Sequence, residues 1–348
     1  MERRSIPYTS NERRVVDYRP GMFGGPDIPI LNTPVNPREN ARGLYFDKHP
    51  YWVGTNDTSM PMPAMYNLHL GRSRDDTDIF GRFWQWVESA GGSITPHGQP
   101  LFTNVNEWKD HIKIPNLDEW DWEKAAEDLK LDTRLSNCPS LVNGFWFERM
   151  ISWMDFMNAA EALIDEDQYD AIHEMFTATT ELACKVVDKL CDYWPAIDGI
   201  NVHDDWGSQK APFFSEDVAR ELFLPYMKQL NDHIHSKGRY TSLHSCGRNE
   251  SRTALFIEAG YDEWNPQPMN DTVAMYEAYG DKIVLSIAPP SIPEGSSDED
   301  YKMAARDFVD KFCKPGKAAS LGMTAMRANP VFVEEIYEYS RKRYAGLV

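Results

Sequence analysis

No run of apolar residues in the 348-residue chain approaches the ~20 that a membrane-spanning helix needs. Basic residues are scarce beside acidic ones: 36 Lys and Arg stand against 54 Asp and Glu, a net charge of −18. That balance argues against general binding to nucleic acid or to an anionic membrane, since both need a basic footprint. Cysteines are few, odd in number and scattered (Cys138, Cys184, Cys191, Cys246 and Cys313), so reduced thiols are expected and a disulfide framework is not. The opening MERRSIPYTSNERRVVDYRP carries charge with no apolar segment behind it, unlike a secretory signal. A soluble cytoplasmic protein is the expectation. There is no glycine-rich GxGxxG after a strand, which weighs against a nucleotide-binding open sheet.

Apolar residues are plentiful enough, at 42%, to bury a large core, and α/β barrels occupy this length as one domain. Residues 1–60 are rich in Pro, Gly, Asn and Arg, and GMFGGPDIPILNTPVNPREN is too interrupted for a helix or a long strand. They read as an N-terminal extension or arm, followed by a catalytic domain over 61–348. From about residue 140 a rhythm sets in. Helical periodicity covers 167–194, 215–236 (with Ser215 as N-cap), 250–259, 271–279, 298–313 and 330–344. Between these lie the strand candidates SLVNGF (140–145), GINVH (199–203), YTSLH (240–244), YDEW (261–264), KIVLSIA (282–288) and KAASLGM (317–323). Two more strands, from YWVG (51–54) and the region near 60–100, would complete eight. The predicted fold is α/β: a closed (β/α)8 TIM barrel with an irregular N-terminal extension.

In such a barrel the active site sits where strands end and loops begin. Three neighbouring strand ends carry chemistry. After GINVH come Asp204, Asp205, Trp206 and Gln209. YTSL leads to His244 and Cys246, and YDEW leads to Trp264, Asn265 and Gln267. Residues i and i+2 of an extended chain project to one side, so the imidazole of His244 and the thiol of Cys246 can reach one ion, and that donor pair suits Zn2+. The competing reading is a buried structural His beside an inert Cys. Asp204 and Asp205 point to opposite sides of their strand. Each is a metal ligand or general acid/base on one reading, and a turn-capping residue on the other. Trp206 and Trp264 could wall a flat substrate or merely pack; His203 reads as core.

The segments DGINVHDDWGSQ, SEDVARELFLPYMKQLNDHIHSKG, HSCG and IEAGYDEWNPQPMND together resemble the uroporphyrinogen decarboxylase-like superfamily, and within it the cobalamin-dependent methyltransferase branch. The likeness covers about 140–348 and implies a (β/α)8 barrel. It implies that His244 and Cys246 bind catalytic zinc. Members often add a Cys near the last strand, where this chain has Met323 and Thr324, so a carboxylate such as Asp204 or Asp205 would complete the set. The branch implies a methyltransferase, an O-demethylase component, that moves a methyl group from a small methylated substrate to a separate corrinoid protein. With Trp206, Gln209, Trp264, Asn265 and Gln267 as substrate-binding residues, a methoxylated aromatic is the expected donor. Cobalamin is expected on the partner, because the nearest match to a cobalt-ligating DxHxxG, Asp47-Lys-His49-Pro-Tyr-Trp52, lacks the glycine. The alternatives are a metal-independent decarboxylase of the superfamily, disfavoured by the missing Arg-rich substrate motif, and a non-catalytic member of the fold. The arm of 1–60 either lines the docking face or makes a homodimer contact.

Overall fold

A computed structural model describes residues 6–19, 27–55, 57–63, 75–90, 92–141, 144–314, 316–322 and 329–348. Its centre is a six-stranded sheet in which β8 (Gly199–His203), β9 (Tyr240–His244), β10 (Glu263–Asn265), β11 (Val284–Ile287) and β13 (Lys317–Leu321) run parallel in that order. The short β12 (Cys313–Lys314) adds an antiparallel edge on β13. Between the parallel strands run helices, as right-handed crossovers demand: α6 (Glu216–Val218), α7 (Leu224–Ser236), α8 (Thr253–Glu258), α9 (Thr272–Tyr279) and α10 (Asp298–Phe312), with α11 (Pro330–Tyr344) last. The Ser215 hydroxyl caps α6 by accepting from Val218 N, and a π-helical turn, Ala219–Phe223, joins α6 to α7. Before β8 come α4 (Phe147–Ala162) and the amphipathic α5 (Tyr169–Tyr193).

The strands alternate as the pleat requires. Ile200, Val202, Leu243, Trp264 and Leu285 point outward into the helices and are buried in the main core, while residues of the opposite parity face inward. Along the inner side, β7 (Ser136–Asn137) pairs parallel with β3 (Thr58–Ser59), and isolated bridges from Asn137 to Ile197 and from Ser140 to Asn201 bring it beside β8.

A closed eight-stranded barrel, as expected from the sequence, is not formed by the strands of the described residues. Among its described residues the segment 140–145 gives the Ser140 bridge, and Pro139 ahead of it has no N–H to donate to β8. YWVG (51–54) is not a strand. Beyond β13, one long hydrogen bond from Leu321 N to Gly54 O, at 3.4 Å, reaches the chain ahead of β3. The region near 60–100 supplies an antiparallel sheet apart from the main one, built from β4 (Asp76–Thr77), β5 (Phe83–Val87) and β6 (Gly92–Ile94).

The first sixty residues contain more regular structure than their composition suggests. After the hairpin of β1 (Val15–Arg19) and β2 (Ile28–Leu31) comes α1 (Pro37–Asp47), which starts where Asn36 accepts from Glu39 N and Pro37 presets the first turn. Arg38 and Arg42 of α1 both bind the buried carboxylate of Asp198, at 2.7 and 2.6 Å, just ahead of β8. Tyr45 stacks on Tyr240, the first residue of β9, with ring centroids 4.1 Å apart. Helix α1 thus covers the end of the sheet at which the parallel strands begin. Glu12 pairs with the buried Arg341 of α11, so the chain's two ends are tied together.

The start of α4 is fixed by a buried ion pair. Arg149 Nη1 lies 2.7 Å from Asp78 Oδ2, and its Nε donates to Gly144 O. Asp78 also accepts from Phe80 N, Arg82 N and Trp84 Nε1. Breaking such a pair by removing one partner leaves a charge uncompensated. Arg149→Met is therefore expected to lower stability by about 3 kcal/mol, read as the shift in urea unfolding midpoint at unchanged slope.

Candidate functional site

The register of the sheet sets the site. His203 on β8 is directly opposite His244 on β9, which is opposite Asn265 on β10. Two residues further along each chain stand Asp205, Cys246 and Gln267. Three adjacent strands therefore end in the same i, i+2 arrangement, all six side chains on the inner side. His203, Asp205, His244 and Cys246 each offer one ligand atom, and these four atoms lie within 4.8 Å of one another.

Each donor is held from behind. The His203 and His244 rings stack at 5.0 Å, tilted by 3°. His244 Nδ1 lies 3.3 Å from Asn265 Oδ1, leaving Nε2 to face Cys246 Sγ at 3.3 Å. His203 Nε2 is 3.4 Å from Asp205 Oδ1, and its Nδ1 is 2.9 Å from Glu148 Oε2 in the first turn of α4. That last contact is close enough for an ion pair but not aligned as a hydrogen bond, so both buried atoms remain without a hydrogen-bond partner. Asp205 Oδ1 accepts from Cys246 N at 2.6 Å. Gln267 accepts from Gly247 N at 2.8 Å and donates to Cys246 Sγ at 3.3 Å. Gly247, at φ +95°, brings the two loops together: a Cβ there would lie 2.2 Å from the backbone of Gly207.

The electrostatics follow from burial and from the carboxylates beside the cluster. Burial holds the His244 imidazole below its ordinary range, and His203 beside it acts in the same direction. At His203 burial works the same way but is outweighed by Glu148, Cys246 and Asp205, which raise it well above the usual value. Burial pushes the Cys246 thiol up. Two imidazoles, a thiol and a carboxylate at this spacing fit Zn2+, a borderline-soft ion bound by N, S and O donors. The carboxylate behind His203 and the carboxamide behind His244 are the outer partners that orient metal-ligating imidazoles.

Other residues singled out in the sequence fall elsewhere. Asp204 points away from the cluster: fully buried, it accepts from Phe147 N, Glu148 N and Trp206 Nε1, so it anchors α4 to the end of β8. Burial and the neighbouring Glu148 raise its carboxyl to about 7. Trp206 and Trp264 are not substrate walls. They pack outward among Phe214, Phe223 and Phe256, because strand alternation that turns Asn265 inward turns Trp264 outward. Gln209 is exposed on the turn bridged by Gly207 and Pro212. Asn265 and Gln267 touch His244 and Cys246. Met323 and Thr324 lie outside the described residues. Sequence reading missed His203 and Glu148; the signal for His203 was the pattern His203-x-Asp205, which repeats His244-x-Cys246 one strand away.

Beneath the cluster, toward α1, lies a cavity of about 420 Å3. His203, His244 and Asn265 line it at one end and Tyr45 and Tyr240 at the other. No helix among the described residues is long and apolar enough to cross a membrane.

The chain matches no protein-family model and no curated protein sequence. Among solved structures it is similar to a methyltransferase from Methanosarcina mazei, with a TM-score of 0.43 and 14% identity over 64% of this chain and 62% of that one. It is also similar to a Group II chitinase catalytic domain from Ostrinia furnacalis (TM-score 0.26, 14% identity, 57% of this chain and 49% of that one). A third is N-acetyl-D-glucosamine-6-phosphate deacetylase from Mycobacterium smegmatis (TM-score 0.27, 10% identity, 61% and 66%). The chain spans about three-fifths of the first neighbour's length, and likenesses this distant leave the site to be judged on its own geometry.

Asp57, on the cavity wall, generates a testable pH dependence. Burial raises its carboxyl from 3.8 to about 7, against the opposing pull of Asn40 and Arg19. Between these two values the folded protein holds a proton that the unfolded chain has released, so this group's contribution to stability falls as pH rises from about 4 to 7. Asp57→Asn, which mimics the protonated acid, should gain stability relative to wild type across that window. Urea unfolding at pH 5 and pH 8 checks it: an unchanged difference between the two proteins would contradict the assignment.

Proposed function

We propose that this chain is a zinc-dependent methyltransferase component that moves a methyl group from a small methylated substrate to a corrinoid carried by a separate protein. The observation that carries the reading is the convergence of His203, Asp205, His244 and Cys246 within 4.8 Å at the strand ends. It joins the motif resemblance over 140–348 to a donor set with the right chemistry. The proposal includes a (β/α)8 barrel, with the chain before β3 as the segment that completes the ring. The boundary drawn at residue 60 then falls just after the Thr58–Ser59 strand. A cytoplasmic location and a homodimer formed through the extension belong to the proposal as well.

Zinc in this site would supply a Lewis acid that draws charge from the donor's heteroatom. The protein's own residues do the rest. Glu148 and Asn265 fix which nitrogen of His203 and His244 faces the cluster, and Gln267 with Asp205 holds the Cys246 loop. Asp205 is the one of the aspartate pair that faces the cluster, where its carboxylate would be the oxygen ligand and holds the Cys246 backbone N–H. A reduced corrinoid on the partner would supply the electron pair that forms the new bond to the methyl carbon, and the bond from that carbon to oxygen would break heterolytically, its oxygen leaving as an alkoxide that takes a proton from water. The aromatic identity of the donor loses its support with Trp206 and Trp264 in the core. The decarboxylase alternative needs cations for its carboxylates, and no Lys or Arg lines the cavity among the described residues.

Purified untagged protein should carry about one zinc per chain, and His203→Ala and Cys246→Ala should each lose most of it. Elemental analysis after gel filtration is the measurement, and full retention in both variants would contradict the site. Given a donor and the reduced corrinoid protein, Asp205→Asn should cut turnover by ~10²-fold, while the folded structure stays intact by circular dichroism. Turnover without corrinoid would contradict the partner.

A further inference from the structure

The cavity under the His203/Asp205/His244/Cys246 cluster has a floor whose chemistry the methyl-transfer reading does not use. Its inner wall is made by the same strand faces that carry the cluster, one pleat nearer to α1: Asn201, Ser242, Glu263, Ser286 and Ser320. Most barrel interiors fill such positions with branched apolar side chains. Here they are polar, and the three serines among them leave the space open. Glu263 stands out among them. It is 7% exposed and faces the cavity, and the Tyr45 hydroxyl lies 3.5 Å from its Oε1. The hydroxyls of Ser242, Ser286 and Ser320 surround it, and burial raises its carboxyl above the usual range.

The fixed charges that line the cavity among the described residues are carboxylates, although Arg19 acts on Asp57 from behind and His203 stands at the cluster end. Asp57 lines it with Glu263, and Asp205 and Glu148 stand at the cluster end. Among the described residues no Lys or Arg lines it. A carboxylate in a pocket of this kind, short of a cation, is neutralised either by a proton or by a cationic ligand. An anionic ligand would add to the repulsion and find no donor of positive charge. A neutral one would leave the charge of the carboxylate uncompensated.

We propose that the cavity binds a small amine, with its ammonium group seated between Glu263 and the serine hydroxyls and a methylated oxygen or sulfur directed toward the His203/His244/Cys246 end. Glu263 is in register with Ser242, and His244 lies two residues further along β9. At about 3.3 Å per residue, the floor and the cluster are separated by ~7 Å along the strands. A chain of three or four atoms between the ammonium nitrogen and the heteroatom spans that interval. The identification of this amine as the methyl donor rests on the function proposed above; the cavity's preference for a cation does not.

Three probes of one shape and different charge test the proposal: 3-methoxypropylamine, 3-methoxypropan-1-ol and 3-methoxypropanoate. Isothermal titration calorimetry on the full chain at pH 7.5, zinc-loaded and zinc-stripped, reads their affinities. The amine should bind at least tenfold more tightly than the other two, in both metal states. Glu263→Gln should reduce that preference to within about threefold while zinc content stays at the wild-type level. Equal or tighter binding of the alcohol or the carboxylate overturns the proposal, as does absence of binding by all three. So does an undiminished preference in a Glu263→Gln protein that melts like wild type. The wild-type selectivity needs no variant and stands as a test even where the substitution impairs folding. Amine selectivity in a protein that binds no zinc would uphold the cavity proposal and sink the methyl-transfer reading; zinc without amine selectivity would do the reverse.

Discussion

The two-residue pleat of three parallel strands in register is the constraint on which the rest depends. With His203 opposite His244 and His244 opposite Asn265, every second residue of β8, β9 and β10 faces the same interior. A slip of one residue on any strand would exchange its inner and outer sets. Asp204 would then replace its neighbours at the cluster, and Trp264 would leave the core. The large outward side chains prevent that slip, because Val202, Leu243 and Trp264 are fully buried against the helices. Hydrophobic packing on one face thus holds the polar geometry on the other.

Several features secure the ends of that arrangement. At the strand ends, Asp204 ties α4 to β8 and sets Glu148 behind His203. Gly247 allows the loop after β9 to lie against Gly207, so Asp205 and Cys246 come within hydrogen-bond distance. At the strand starts, the arginines of α1 neutralise Asp198, and the Tyr45–Tyr240 stack closes the interior from below. What lies between is a chamber with apolar rings at its base, hydroxyls and a carboxyl above them, and metal-type donors at the top. A shielded interior of this sort strengthens each electrostatic contact made within it.

Much of this was legible in the sequence. Strands at 199–203 and 240–244 fall on the residues the apolar runs marked, and Ser215 caps its helix as its position after a polar loop suggested. The pairing of His244 with Cys246 also followed from strand geometry alone. His203 escaped because it was weighed singly as the last residue of an apolar strand; taken with Asp205 it has the same spacing as the pair next door. The tryptophans were misplaced for the converse reason: nearness in sequence to a strand end says nothing about which face a side chain takes. Helix α1 was hidden by the surrounding Pro and Gly, although Asn36 and Pro37 are good helix-start residues. Contacts between distant segments, such as Glu148 with His203 or α1 with Asp198, have no local signature at all.

The most direct test of the central claim is zinc X-ray absorption spectroscopy on the purified chain, because it reads the identity of the ligand atoms. The account predicts one sulfur at about 2.3 Å with nitrogen and oxygen ligands near 2.0–2.1 Å, and loss of the sulfur contribution in Cys246→Ser. A zinc shell without sulfur, or a spectrum that Cys246→Ser leaves unchanged, would contradict it.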